Sequence, residues 1–192
     1  MLKENNQQKR YLTPAEIKRL LAVSPQHLQD VIICAINSGM RRTELLTLTW
    51  QQIKWDEGII ELPETKSDEP QEVTLNEPLI NLFKRIRRRP IVDSKRVFIW
   101  QDFSGKWKPI KDATTAFKRA CKAAGIKYGR PDHVTFHTLR HTYGSHLVMR
   151  GATIYEVRDL MRHVDVKTTE RYAHLSDKAK RKAAELLDGL TG

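Results

Sequence analysis

Residues 135–146 read Thr135-Phe136-His137-Thr138-Leu139-Arg140-His141-Thr142-Tyr143-Gly144-Ser145-His146. At ~100° per residue, Phe136, Leu139, Tyr143 and the following Leu147 fall on one apolar stripe, which predicts a helix over 135–150 packed on a core. His137 and Arg140 share a face bordering that stripe and can point together into a cleft at its edge. Taken alone, a His-x-x-Arg spacing also describes a polar helix face with satisfied histidines. His137 and His141 stand at the i, i+4 spacing that two imidazoles on one metal ion require. The residues between them are Thr138, Leu139 and Arg140, without the glutamate of a His-Glu-x-x-His site, and a cation beside the ligands opposes metal binding. No metal is expected there.

Three further segments carry chemistry. In Asn37-Ser38-Gly39-Met40-Arg41-Arg42-Thr43-Glu44-Leu45-Leu46, Glu44 follows Arg41 at a distance that lets the pair close across one helical turn and lock the guanidinium. Thr65-Lys66 lies in the turn-rich stretch 63–70, where a lysine on a hairpin is ordinarily solvated surface. The stretch 160–175 holds His163 and, between helical segments, Tyr172; a lone tyrosine on a short helix is ordinarily a core residue with a wet hydroxyl.

Around these segments the pattern is mainly helical. Thr13-Pro14-Ala15-Glu16 predicts a helix start, with Thr13 as N-cap, Pro14 in the first turn and Glu16 closing a capping box, and the helix runs to about Val23. A second, apolar helix runs from near Gln26 to Asn37 and stops at Ser38-Gly39. Short apolar stretches at 50–55, 58–62 and 71–75, separated by turn residues, predict a small antiparallel sheet of three strands. Further helices are expected at about 77–88, 112–124, 153–162, 166–173 and 176–188, with 96–100 extended. The fold class is therefore mainly α with a small three-stranded antiparallel β-sheet (α+β).

The 192 residues suffice for one domain with a real core. Lys and Arg number 34 against 23 Asp and Glu, a formal charge of +11 that favours a polyanionic partner through counterion release. Cys34, inside Val31-Ile32-Ile33-Cys34-Ala35-Ile36, reads as a small buried hydrophobe, and it and Cys121 have no metal-ligand spacing. The first ten residues are polar and no stretch is long enough to span a bilayer, so an intracellular, cytoplasmic protein is expected. The basic run 84–89 suits either a phosphate-contacting strip or the solvated C-terminal end of a helix, the second being favoured.

In their order along the chain, these four segments resemble the tyrosine recombinase (phage integrase) family. Gly39-Met40-Arg41-Arg42-Thr43-Glu44-Leu45-Leu46 is similar to that family's first arginine box, His137-Thr138-Leu139-Arg140-His141-Thr142-Tyr143 to its His-x-x-Arg box, and Thr169-Glu170-Arg171-Tyr172-Ala173-His174 to the segment around its nucleophile. The resemblance covers about residues 11–180 and implies the family's catalytic-domain fold, preceded by a polar leader (1–10) and followed by a tail (181–192). Full-length members carry a helical core-binding domain ahead of the catalytic one, and the chain is expected to lack it.

The resemblance implies that Arg41, Lys66, His137, Arg140, His163 and Tyr172 form the active site, with Glu44 orienting and Arg42 and Arg162 touching DNA. It implies double-stranded DNA as partner, a tetramer assembled on DNA by the full-length protein, and no metal, ATP or other cofactor. The chemistry agrees. Attack on a phosphodiester builds charge on the equatorial oxygens of a five-coordinate phosphorus, which Arg41 and Arg140 can neutralise with planar forks. A phenol's ordinary pKa of ~10 requires a proton acceptor for Tyr172, a part given to His137. Lys66 would protonate the leaving 5′ oxygen, and His163 would hydrogen-bond the phosphate. The covalent 3′-phosphotyrosyl bond keeps the energy of the broken linkage for religation.

The chain departs from the family in having Arg162 where members have Gly before the histidine, which either adds a phosphate contact or alters the turn. Rival readings are a type IB topoisomerase, with the same nucleophile and cations, and a DNA-binding module derived from an integrase.

Overall fold

A computed structural model of the chain describes residues 10–62, 71–89, 94–129, 133–163, 167–170, 172–175 and 188. The leader expected at 1–10 (save residue 10), the hairpin turn that holds Lys66 and the terminal helix expected at 176–188 (save residue 188) lie outside them.

Helix α1 (Pro14–Val23) starts as its sequence predicts, with the Glu16 N–H donating to Thr13 Oγ1 at 3.3 Å and the Thr13 N–H to Glu16 Oε2 at 2.9 Å. Helix α2 (Gln26–Ser38) ends on Gly39 at φ +60°. That glycine is doubly required: its backbone is left-handed, and a Cβ there would meet Tyr143 Cδ1 at 2.4 Å. Helix α3 (Arg42–Thr47) follows, then a 3₁₀ turn at Trp50–Gln52 and three short strands, β1 (Ile53–Lys54), β2 (Ile59–Leu62) and β3 (Gln71–Thr74), paired antiparallel in that order. The register sets Ile60 opposite both Ile53 and Val73, and all three side chains are buried on one face.

Helix α4 (Glu77–Arg87) is capped by the Asn76 side chain. The basic run is the exposed C-terminal end of this helix, the favoured alternative, with an addition: Arg85 and Arg89 both pair with Asp30 of α2, a carboxylate only 1% exposed, Arg85 at 2.9 Å. These cations neutralise a buried charge that would otherwise be costly.

A second hairpin, β4 (Ile99–Gln101) with β5 (Trp107–Pro109), extends the expected segment at 96–100 and supplies the partner strand that the sequence reading lacked. Its turn is held by Asp102, whose carboxylate accepts from the Ser104 and Lys106 N–H groups at 2.9 and 3.0 Å. Helix α5 (Thr114–Ala123) leads to α6 (Thr138–Met149), and α7 (Ile154–Leu160), α8 (Lys167–Glu170) and a 3₁₀ turn at Ala173–Leu175 complete the described chain.

Helix α6 is the axis of the domain. It begins later than 135, with His137 at its N-cap, and it is more than an amphipathic surface helix, since Thr138 to Thr142, Gly144, Ser145 and Val148 are all buried. Its buried Thr142 is bonded within the protein: Oγ1 donates to the Thr138 carbonyl at 2.8 Å and accepts the Leu12 N–H at 3.0 Å. His146 Nε2 donates to the Leu12 carbonyl at 2.9 Å, so the chain before α1 is laced to the central helix. On one side of α6 lies the main core, built from α1, α2, α4, α5 and the sheet around Leu20, Ile32, Phe83 and Phe117. On the other side a small cluster of Val148, Val157, Met161 and Tyr172 is backed by Tyr143 and Leu175. Cys34 and Cys121 are fully buried, and burial pushes the Cys34 thiol up to about 12. Among the described residues no helix is long and apolar enough to cross a membrane.

Candidate active site

Three loops converge on the N-terminal half of α6. The first leaves α2 through Gly39 and places Arg41 in extended backbone at the N-cap of α3, rather than within a helix. Glu44 grips it twice, accepting the Arg41 N–H at 2.8 Å and Arg41 Nη1 at 2.7 Å. The pairing expected from the spacing is therefore present, but as a capping arrangement that fixes backbone and guanidinium together. The Arg41 side chain remains about two-fifths exposed, and its Nη2 lies 3.5 Å from the Arg162 carbonyl.

Arg140, in the first turn of α6, is 5% exposed. Its Nη1 donates to the Gly39 carbonyl and its Nη2 to the Met161 carbonyl, so one guanidinium ties the loop before α3 to the loop after α7. Burial, reinforced by the charges of Arg162 and Arg41, pushes its pKa down to about 10, which leaves it protonated at neutral pH.

The second loop closes α7. Arg162 N–H donates to the Asp159 carbonyl at 2.9 Å and His163 N–H to the Arg158 carbonyl at 3.0 Å, the bonding of a Schellman turn. Arg162 occupies the position that glycine ordinarily takes, at φ +54°. A bulky residue there costs on the order of 1 kcal/mol. Its side chain turns inward, 5% exposed, with Nη2 on Glu44 Oε2 at 3.0 Å. Burial pushes the Glu44 carboxyl up, but hydrogen bonds from Arg41 and the Arg162 and Arg41 charges outweigh it and hold the group below its ordinary value.

The third loop brings Tyr172, whose N–H donates to the Thr169 carbonyl at 2.9 Å. The ring is 1% exposed, and the hydroxyl lies 2.8 Å from His141 Nδ1 in a hydrogen bond. His137 meets His141 edge to face, ring centroids 4.7 Å apart. His141 thus stands between the phenol and the second imidazole. Among the described residues no three His, Cys, Asp or Glu side chains gather as a metal site. His163 Nδ1 is 2.9 Å from Thr169 Oγ1, a hydroxyl fully buried beneath it.

Tyr172 can pack this closely because α6 has a glycine beneath it. A Cβ on Gly144 would stand 2.6 Å from Met161 Sδ and 3.0 Å from Tyr172 Cζ. Gly144→Ala is expected to lower Tm by roughly 2–10 °C, as overpacking of the small cluster displaces the ring. A thermal scan checks this, and an unchanged Tm would mean the ring and Met161 move aside without cost.

The structure thus gathers Arg41, Glu44, His137, Arg140, Arg162, His163 and Tyr172 around one end of α6. Lys66 lies outside the described residues. Arg42 points elsewhere, its Nη1 on Thr114 Oγ1 at 3.0 Å and 3.8 Å from Asp112, with about half its side chain exposed. Sequence reasoning missed His141 as the partner of the phenol. The i, i+4 spacing from His137 marked it, but as half of a metal pair.

The comparisons with known proteins fall on the same region. Residues 10–179 match the phage integrase family. The integrase of Salmonella phage P22 is 31% identical over 97% of this chain and 49% of its own length. Tyrosine recombinase XerA of Pyrococcus furiosus is 29% identical over 94% of this chain and 64% of its own. The chain therefore spans about half to two thirds of the length of these relatives. Among solved structures, the catalytic domain of bacteriophage HP1 integrase superposes with a TM-score of 0.70 at 25% identity, covering 92% of this chain and 94% of that one. A Tn1549 transposon integrase in complex with a circular intermediate DNA shares the fold, with a TM-score of 0.73 at 21% identity over 97% of this chain and 68% of that one. Since the family match runs through every element that carries the cluster, the chain belongs to the phage integrase family of tyrosine recombinases.

Proposed function

We propose that residues 11–180 form the catalytic domain of an intracellular site-specific DNA recombinase that cuts and rejoins strands through Tyr172. The observation that carries this reading is a buried tyrosine hydroxyl hydrogen-bonded to His141, whose neighbour in the chain, Arg140, is a buried cation. DNA binding alone requires none of that.

In the proposed reaction Tyr172 Oη attacks the scissile phosphorus, the bond from phosphorus to the 5′ oxygen breaks, and a 3′-phosphotyrosyl linkage forms. Arg41 and Arg140 take the non-bridging oxygens, His163 adds a hydrogen bond and Lys66 returns a proton to the leaving 5′ oxygen. The phenol's proton goes to a histidine. The 2.8 Å contact supports His141 as the first acceptor, with His137 against its ring in support, a change from the part first given to His137. Reversal by a second strand's 5′-hydroxyl gives strand exchange, for which the full-length protein would assemble as a tetramer on double-stranded DNA.

The test is covalent trapping on a denaturing gel with EDTA present, using a pool of nicked duplexes with randomised centres. A DNA-linked protein band is the expected result; binding without an adduct would refute the reading. On the sequences so selected, His141→Gln should slow adduct formation ~10²-fold and His137→Gln by less, because general-base catalysis supplies that order of rate. The reverse ranking would return the acceptor's part to His137.

A further inference from the structure

We propose that Arg162 is a third phosphate-binding catalytic residue, a guanidinium at a left-handed backbone position that serves the same site as Arg41 and Arg140. The inference rests on the recombinase reading above and adds a ligand for the scissile phosphate.

Two independent observations support it. The first is the backbone. Among the described residues Arg162 is the only non-glycine at positive φ, and it stands at the Schellman position that any glycine would fill without strain. Nothing in the turn's own hydrogen bonds needs a side chain there. The second is the side chain itself. It is 5% exposed, and although Nη2 is bound to Glu44, its Nε and Nη1 are buried with no hydrogen-bond partner among the described residues. A buried guanidinium with two unsatisfied nitrogens is costly unless something else completes it.

The surrounding charge says what would complete it. Arg41 and Arg162 share the single carboxylate of Glu44, and Arg140 is held by the neutral carbonyls of Gly39 and Met161. Three positive charges against one negative leave an excess of two in a largely buried cluster. A phosphodiester brings one negative charge, and the five-coordinate phosphorus formed from it and a phenolate carries two. The excess therefore matches the transition state better than the ground state, which is the condition for lowering a barrier rather than merely binding substrate.

The experiment compares the wild type with Arg162→Gly, which suits the backbone, and Arg162→Lys, which keeps charge without the fork. Thermal scans verify folding. Adduct formation is measured on a selected nicked duplex and on the same duplex with a neutral methylphosphonate at the scissile position. On the phosphodiester, Arg162→Gly is expected to slow adduct formation ~10²-fold, with Arg162→Lys between it and the wild type. On the methylphosphonate the Arg162→Gly deficit should shrink to within about threefold, because the oxygen charge it served is gone. Unimpaired cleavage by Arg162→Gly overturns the proposal. An equal deficit on both substrates also overturns it, and would make Arg162 a positioning residue acting through Glu44.

If the wild type forms no adduct on one or both substrates, titration of the folded chains with inorganic phosphate decides. A tenfold or greater loss of affinity in Arg162→Gly supports the anion site; equal affinity removes it. Absence of any wild-type adduct on the phosphodiester refutes the recombinase reading separately.

Discussion

Tyr172→Phe should abolish the DNA-linked band while leaving DNA affinity and its salt dependence unchanged. The two effects separate because the substitution removes one neutral hydroxyl and no cation: phosphate contacts carry the affinity, whereas the nucleophile carries the bond. The expected loss is ~10⁴-fold or more in adduct formation, the scale seen when a covalent nucleophile is deleted. The phenylalanine also leaves the buried His141 Nδ1 without its 2.8 Å hydrogen bond to the phenol. A cost of ~1–2 kcal/mol is expected, and so a Tm lower by roughly 2–8 °C. A band that persists in Tyr172→Phe would move the covalent link to another side chain. Plasmid relaxation by the wild-type domain without strand exchange would move the reading to a type IB topoisomerase.

The fold was legible where local chemistry specifies it. The Thr13 to Glu16 capping box, the Gly39 stop and the short apolar stretches bounded by turn residues at 50–55, 58–62 and 71–75 are each local signals, and each element formed at or within its signal. The second hairpin was missed because Asp102 makes its turn by side-chain bonds to Ser104 and Lys106, and β5 is too short to show alternation. Asp30 was invisible for another reason: its partners Arg85 and Arg89 come from α4 across the core, and nothing in sequence marks a buried carboxylate.

The candidate site divides in the same way. Arg41 and Glu44 are paired by local spacing, so they could be read together. The contacts of His141 with Tyr172 and of Arg162 with Glu44 span long stretches of chain. Helical periodicity placed His141 on a face but could not say that a tyrosine would arrive there. Arg162 was legible only as a departure at a glycine position; its inward turn depends on Glu44, which tertiary packing alone brings to it.

Arg140→Lys is expected to cost both stability and rate, and the pairing of the two identifies what the fork does. The Arg140 guanidinium spans two carbonyls on different loops, Gly39 and Met161. An ammonium is a compact point charge and cannot hold both in one plane while keeping donors aimed at a phosphate. One carbonyl should lose its charged donor, a loss of ~1–3 kcal/mol and a Tm lower by roughly 2–10 °C. Because those carbonyls fix the loops that carry Arg41, Arg162 and His163, adduct formation should fall ~10²–10³-fold, beyond the loss of one set of donors alone. Arg41→Lys is the comparison. Arg41 is about two-fifths exposed and held by Glu44, so its variant should keep nearly the wild-type Tm while losing rate. A folded Arg140→Lys protein that forms adduct within about threefold of the wild-type rate would show that charge alone suffices at this position. A lowered Tm with an unchanged rate would show instead that the loops hold their catalytic geometry without the fork.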